Sequence, residues 1–192
     1  YREVCMWQEQ VPRPASPPAD LPDRADVVVI GAGYCGLGAA RTAAAAGASV
    51  VVLDKEPLGW GSSSRNGGMV IPELHASPKQ LAKRYGSLAH RLYAEVEEAF
   101  DHTEMLVAEI DCDYQRTGQL YLAHSPRHTA YLRSLTAELQ GAGKDVHFLT
   151  GAQVQRRIGS SEFDSGVHFE RVGGLHPAKF HAGVSEMAVA AG

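Results

Sequence analysis

The stretch that decides the fold is residues 25–55, ADVVVIGAGYCGLGAARTAAAAGASVVVLDK. Its first apolar run, 26–30, is rich in β-branched valines, which is typical of a buried parallel strand. The Ala-rich segment that continues to Ala46 predicts a helix, and Gly47 ends it, as a glycine just past a helix commonly does. A second β-branched run, 49–53, ends at the acid Asp54. The order is therefore strand, tight turn, helix and strand.

Three glycines in the turn, Gly31, Gly33 and Gly36, have the spacing of a dinucleotide-binding unit. Gly31 allows a sharp turn out of the strand, Gly33 leaves room for a pyrophosphate, and Gly36 lets the helix approach the strands. The start of the helix offers unpaired N–H groups and a partial positive charge, which suit phosphate. Asp54 follows Gly36 by eighteen residues, where a carboxylate accepts hydrogen bonds from ribose hydroxyls. The stretch predicts dinucleotide binding.

Two other interpretations of the stretch 25–55 are possible. It is apolar enough to suggest a transmembrane helix, but Arg41 and Thr42 fall in its middle. A central Arg costs roughly 2.5–3.5 kcal/mol on insertion scales, so we predict no membrane span. The second alternative is a unit of the same fold that binds nothing.

The composition is that of an ordinary globular protein. Of the 192 residues, 44% are hydrophobic and 21% are charged, which is enough for a core. The net charge of −4, without a dense Lys/Arg stripe, argues against a nucleic-acid partner. Three cysteines, Cys5, Cys35 and Cys112, are too few for a disulfide framework and favour a reducing compartment, which we take to be the cytoplasm. The polar, proline-rich start predicts no secretory signal.

The nine histidines raise the question of a metal site. His124 and His128 are four residues apart, but Pro126 between them marks a helix start, so they need not share a face. No cysteine pair accompanies any histidine. We predict no metal site.

The rest of the chain separates into a proline-rich arm, a polar loop and a mixed region. Residues 1–24 contain five prolines, which exclude regular helix and central strand, and we expect an extended arm with Trp7 as an anchor. Residues 61–69 are rich in Gly and Ser; they suit a ligand-binding loop, the alternative being a surface linker. Ser77 and Ser125, each followed by Pro, predict two helix starts, with a break at 86–87 in the first helical region.

Strands and a final helix complete the expected order of elements. We predict strands at 113–123, through Gly118, at 146–149 and at 167–171. A short helix is expected at 150–158, and the turn 173–177 precedes a last helix.

Several of these segments resemble the D-amino-acid-oxidase-like FAD-dependent oxidoreductases, and within them most closely the γ-glutamylputrescine oxidoreductase branch. The segments are the glycine turn, Asp54-Lys55, the loop 61–68 (GSSSRNGG), 110–119 (IDCDYQRTGQ) and the turn 174–179 (GLHPAK). The resemblance runs from about residue 5 to the end of the chain. The loop and the turn are more specific than the glycine spacing.

The resemblance implies FAD as the cofactor. Gly31, Gly33 and Gly36 would hold the pyrophosphate, and Asp54 the adenosine ribose. The other implied cofactor contacts are Lys55, Gly61, Ser62, Ser63, Arg65, Asn66, Gly67, Gly68 and Met69. No catalytic residue is assigned, and His176 is either a substrate-facing group or, more simply, a turn-stabilising histidine.

The implied fold class is α/β: an incomplete Rossmann-like FAD-binding domain with the start of an α+β substrate domain. We expect an extended arm at 1–24, an FAD-binding segment at 25–76, part of the substrate domain at 77–172 and a return segment at 173–192. Members of the family are roughly twice as long. We therefore expect the chain to be the N-terminal part of a longer protein, marginally stable and a poor FAD binder by itself.

The implied activity is oxidation of an amine or amino acid similar to γ-glutamylputrescine. Hydride would pass from its α-carbon to flavin N5, and the electrons then to oxygen or another acceptor. Two alternatives remain: an NAD(P)-dependent dehydrogenase built on the same strand–helix–strand unit, and a non-catalytic flavin-binding subunit.

Overall fold

The computed structural model describes residues 3–11, 20–74 and 76–192. Its helices, in chain order, are α1 (Met6–Gln10), α2 (Tyr34–Ala45), α3 (Pro78–Tyr85), α4 (Leu88–Glu109), α5 (Pro126–Gly141), α6 (Gly151–Ile158) and α7 (Pro177–Ala190). Its strands are β1 (Val27–Ile30), β2 (Val50–Leu53), β3 (Met69–Val70), β4 (Gln119–Leu122), β5 (Val146–Thr150), β6 (Ser165–Phe169) and β7 (Gly173–Gly174). A single 3₁₀ turn at Ser62–Ser64 lies between β2 and β3.

The chain forms two compact units, each built from separated segments. The first unit contains residues 1–69, 103–114 and 175–192, and the second contains 70–102 and 115–174. The predicted domain boundaries remain predictions.

The first unit contains the predicted strand–turn–helix–strand. Strands β1 and β2 pair in parallel, with Val27 opposite Val50, and three residues separate the end of β1 from the start of α2. The core of this unit joins the glycine turn to the last helix; its buried members are Ala32, Leu37, Ile110, Cys112, Phe180 and Val184. The α/β fold class is therefore confirmed, and residues 25–55 form a strand, a turn, a helix and a second strand rather than one long helix.

One face of this two-stranded sheet is open. Along β1, Val28 is 56% and Ile30 is 88% exposed, while Val27 and Val29 are half-buried. Side chains alternate across a strand, so the two exposed residues lie on the same face. This two-stranded sheet therefore leaves apolar surface uncovered.

The second unit is a three-stranded antiparallel sheet with helices. The strand order is β4-β6-β5, and Val167 of β6 lies opposite both Tyr121 and Phe148. Helix α5 covers one face of the sheet, because Leu132 forms a buried cluster with Ala123, Val146 and Val167.

Helix starts follow the predicted caps. The Ser77 hydroxyl accepts from the Gln80 N–H, and the Gln80 side chain accepts from the Ser77 N–H, which forms a capping box. Ser125 accepts from the His128 N–H at 3.2 Å at the start of α5. The break predicted at 86–87 separates α3 from α4.

Two predictions about local structure are wrong. Residues 113–118 are not strand, because Asp113 and Gly118 have φ of +54° and +72°; only an isolated bridge joins Gln115 to Gly174. The arm is not extended throughout, since α1 precedes its prolines. Pro12, Pro14, Pro17 and Pro18 lie outside the described residues.

Candidate cofactor site

The glycine turn has the geometry that the spacing predicts. Gly31 has φ of +101°, a conformation that residues with a Cβ rarely adopt. A Cβ at Gly36 would overlap the Gly31 carbonyl oxygen, so the helix follows the strand closely only because this residue is glycine. A Cβ at Gly33 would lie 3.1 Å from the Ser63 hydroxyl oxygen.

The start of α2 presents backbone donors. The Tyr34 N–H donates to the Ser63 hydroxyl at 3.3 Å, and the Ala32 N–H donates to Asp54. Within the described part of the chain, the N–H groups of Gly33, Cys35 and Gly36 have no acceptor. Unsatisfied donors at the positive end of a twelve-residue helix fit a pyrophosphate.

Asp54 lies against this turn. Its Oδ2 accepts from the Ala32 N–H at 2.8 Å, and its Oδ1 accepts from the Glu56 N–H at 3.0 Å. These bonds, the one from Ala32 first, hold the pKa of Asp54 below 3.8. The side chain is exposed, and each oxygen has a second lone pair for a ribose hydroxyl. Lys55 follows it and is also exposed.

The loop 61–69 is held in shape by hydrogen bonds made by its own side chains. Ser64 is fully buried, and its hydroxyl donates to the carbonyls of Gly59 and Gly61. The Asn66 amide donates to the carbonyls of Ser62 and Ser63, both at 3.1 Å. This loop therefore fixes its own backbone beside the glycine turn.

The residues in the second half of this loop, 65–69, differ in their contacts and exposure. The Arg65 guanidinium lies 4.3 Å from the Trp60 ring centroid, a cation–π contact. The Asn66 Oδ1 accepts from the Gly68 N–H at 2.7 Å, and a Cβ at Gly68 would overlap the Leu175 carbonyl oxygen. Gly67 has open space around it, and Met69 is 56% exposed.

Helix α1 contacts this loop and the residue Gly59 before it through two side chains that the motif gives no reason to expect. The Trp7 Nε1–H donates to the Asn66 carbonyl at 3.0 Å. The Gln8 amide donates to the Gly59 carbonyl at 3.0 Å. The expected anchoring role of Trp7 is therefore seen in the structure.

His176 is a structural residue in this unit. Its Nδ1 accepts from the Lys179 N–H at 3.3 Å, which caps α7. Its Nε2 lies 3.0 Å from Gln10 Oε1, and the Trp7 ring meets it edge-on at 4.7 Å between centroids. These contacts favour the turn-stabilising interpretation.

His181 holds the glycine turn from the opposite side to Asp54. The ring is 1% exposed, and Nε2 lies 2.7 Å from the Ala32 carbonyl oxygen. The Ala32 residue is thus bonded at its N–H by Asp54 and at its carbonyl by His181. Sequence reasoning missed His181 because 149 residues separate it from Ala32 and no motif connects them.

Two further histidines and the three cysteines bear on the predicted absence of a metal site. The rings of His124 and His128 lie 4.5 Å apart between centroids, with the Nδ1 atoms 2.9 Å apart. His124 precedes the N-cap of α5, so the two residues do not share a helix face although their rings are close. In the described ranges no three His, Cys, Asp or Glu residues form a metal-ligand group. Cys5, Cys35 and Cys112 are free thiols, and burial raises the pKa of Cys112.

None of the described helices is both long and apolar enough to cross a membrane.

The family model for FAD dependent oxidoreductases matches residues 26–192. The chain therefore belongs to this family of FAD-dependent enzymes.

Curated relatives agree with this membership. The chain is 29% identical to γ-glutamylputrescine oxidoreductase of Escherichia coli (strain K12) over 167 residues, which cover 84% of this chain and 38% of the relative. It is 30% identical to the probable oxidoreductase OrdL of Rhizobium meliloti (strain 1021) over 185 residues, covering 94% and 43%. The chain spans about two fifths of the length of these relatives.

Solved structures share the fold. L-amino acid deaminase from Proteus vulgaris superposes with a TM-score of 0.73 at 21% identity, covering 91% of this chain and 40% of that one. Glycine oxidase from Geobacillus kaustophilus gives a TM-score of 0.68 at 22% identity, covering 88% and 45%.

Proposed function

We propose that the complete protein oxidises a small amine or amino acid, with a γ-glutamylputrescine-like amine as its substrate. The observation that carries the proposal is the family match across residues 26–192, together with the donor-rich turn that this match includes. A relative named γ-glutamylputrescine oxidoreductase supports the substrate class.

The residues of the turn would bind and orient the cofactor. The N–H groups of Gly33, Cys35 and Gly36 would donate to the pyrophosphate, and Asp54 would accept from the adenosine ribose, with Lys55 beside it. FAD bound in this way supplies a hydride acceptor for the α-carbon of the amine. The amine would enter uncharged, and the resulting imine would be hydrolysed by water.

The loop 61–69 would line the path toward the flavin ring. Gly61, Ser62 and Ser63 lie next to the turn, where Ser63 already accepts from Tyr34. Arg65 and Asn66 would contact the cofactor without taking part in proton transfer. Gly67, Gly68 and Met69 would continue along the ribityl chain, since Gly67 has open space around it and Met69 is exposed.

The test is the visible absorption spectrum of the purified complete protein, before and after anaerobic addition of γ-glutamylputrescine. Flavin bands that bleach on addition would support both the cofactor and the amine class. Flavin bands that persist would still support FAD as the cofactor, and would indicate that the substrate is another amine or an amino acid. Absence of flavin bands after FAD is supplied would contradict the proposal and favour a nicotinamide-dependent enzyme.

A further inference from the structure

The second unit contains a cavity of about 220 Å³ on the face of the sheet that α5 covers. Tyr121 of β4 and Phe169 of β6 line it from the sheet, with ring centroids 4.8 Å apart. Tyr131 and Leu135 line it from α5, and Tyr93 from α4. Aromatic rings and apolar side chains therefore make up much of the wall.

The cations in the wall of this cavity are already paired. Lys144 bonds to Glu97 and to the Pro72 carbonyl oxygen, and the Arg171 Nε lies 3.0 Å from Glu97. Arg171 also bonds to Asp101. An anionic ligand would have to displace these carboxylates, so the cavity does not suit one.

Glu73 is different from the other carboxylates of the wall. Its Oε2 and Oε1 accept from the Tyr121 hydroxyl at 3.1 and 3.3 Å. In the described ranges no Lys, Arg or His nitrogen lies within 4 Å of it. Asp145, by contrast, has His147 Nε2 at 3.1 Å. Glu73 thus places a negative charge, without a counter-ion among the described residues, in a wall that also contains three tyrosine rings.

We infer that this cavity binds a small aliphatic ammonium ion. Its N–H groups donate to the Glu73 carboxylate, and its carbons lie against Tyr121, Tyr131 and Leu135. A carboxylate next to aromatic faces attracts an organic cation through charge and through the ring quadrupoles. A neutral apolar ligand would instead displace water from the Glu73 carboxylate without compensating its negative charge.

The hydroxyl of Tyr121 keeps this arrangement intact over the relevant pH range. Burial first, and the Glu73 charge second, raise the pKa of Tyr121 to about 12. An alkylamine, like a Lys side chain, is charged below about pH 10. The phenol therefore still donates to Glu73 at every pH at which the ligand carries its charge.

The inference does not depend on the flavin, since none of the proposed cofactor contacts lines this cavity. A ligand that the flavin cannot oxidise tests the cavity independently of the proposed reaction. tert-Butylammonium has no hydrogen on its α-carbon and so cannot lose hydride, while tert-butanol is a neutral molecule of the same shape.

The experiment is isothermal titration of the complete protein with tert-butylammonium chloride and, separately, with tert-butanol. Glu73→Gln removes the charge but keeps an acceptor for Tyr121, and we expect at least tenfold weaker binding of the ammonium. Glu95→Gln, at an exposed position of α4 outside the cavity wall, is the matched control and should change the dissociation constant less than twofold. tert-Butanol should not bind measurably.

Equal affinity for tert-butanol, or unchanged ammonium binding by Glu73→Gln, would overturn the inference. Tyr131→Leu gives a second test, because Tyr131 is 58% exposed and its replacement should leave the fold intact. We expect about threefold weaker ammonium binding from the lost cation–π contact, and unchanged binding would again contradict us. Flavin bleaching is measured separately, so failure of the proposed function and failure of this inference are distinguishable.

Discussion

At the scale of single residues, Gly36 and Gly38 of α2 offer a direct comparison. A Cβ at Gly36 would overlap the Gly31 carbonyl oxygen, whereas a Cβ at Gly38 would meet no atom within 4 Å. Gly36→Ala should therefore destabilise the protein by about 3 kcal/mol through forced backbone movement. Gly38→Ala should stabilise it by roughly 0.5–1 kcal/mol, because alanine loses less entropy in a helix. Urea unfolding of the two variants measures both changes in the free energy of unfolding. Changes of the same sign would contradict the close approach of Gly36 to the Gly31 carbonyl.

Asp54 makes the stability of the glycine turn depend on pH in the acidic range. Because backbone N–H groups hold its pKa below 3.8 in the folded protein, the unfolded chain binds the proton more readily. Its stabilising contribution is therefore fully present above the unfolded pKa of about 3.9 and is lost as pH falls through the lower folded-state value. Asp54→Asn should flatten this part of the stability profile, measured as urea midpoints between about pH 2 and 6. A variant with the same acid slope as the parent would show that other carboxylates dominate.

At the scale of elements, α1 is a five-residue helix too short to be stable by itself. Trp7 attaches it to the loop 61–69 through the Asn66 carbonyl, and Gln8 attaches it to the Gly59 carbonyl just before that loop. Trp7→Phe removes the indole donor and should raise amide hydrogen exchange in that loop and weaken FAD binding severalfold. Met6→Leu is the control in the same helix, since Met6 is 54% exposed. If amide hydrogen exchange in the loop 61–69 rises equally in Trp7→Phe and Met6→Leu, the Trp7 hydrogen bond does not stabilise the loop.

The elements that sequence predicted well are those with local signals. Strand β1, helix α2 and strand β2 follow from valine runs and from Gly31 and Gly47, and α3 and α5 follow from Ser-Pro caps. These signals act over a few residues, so the sequence alone carries them.

The elements that sequence missed depend on distant contacts. Residues 113–118 include Tyr and Thr, which favour strands, but the only bridge in this segment joins Gln115 to Gly174, and Asp113 and Gly118 turn the chain. Helix α1 lacks periodicity because it has little more than one turn. In the cofactor site, the glycines and Asp54 were predictable from spacing, while His181 was not, because its role depends on where α7 begins.

At the scale of the whole molecule, the open face of β1 governs how the 192-residue polypeptide behaves by itself. Ile30 is 88% exposed there, so we expect the polypeptide to be marginally stable and to bind a hydrophobic dye such as ANS. Ile30→Thr should reduce dye fluorescence and change the free energy of unfolding by less than about 0.5 kcal/mol. Val29→Thr, on the half-buried face, should instead destabilise by about 1 kcal/mol. Dye binding that Ile30→Thr leaves unchanged would place the apolar surface elsewhere.

The discontinuous first unit also sets an order of events during synthesis. The glycine turn leaves the ribosome early, yet Phe180, His181 and Val184, which complete its core, are translated about 150 residues later. The segments of the second unit end at residue 174, so that unit is fully translated first. A nascent chain whose residues up to 174 have left the ribosome, while α7 is still inside it, would then have a complete antiparallel sheet but a glycine turn without its core partners. A chaperone would have the most time to bind this chain at Val28 and Ile30 of β1.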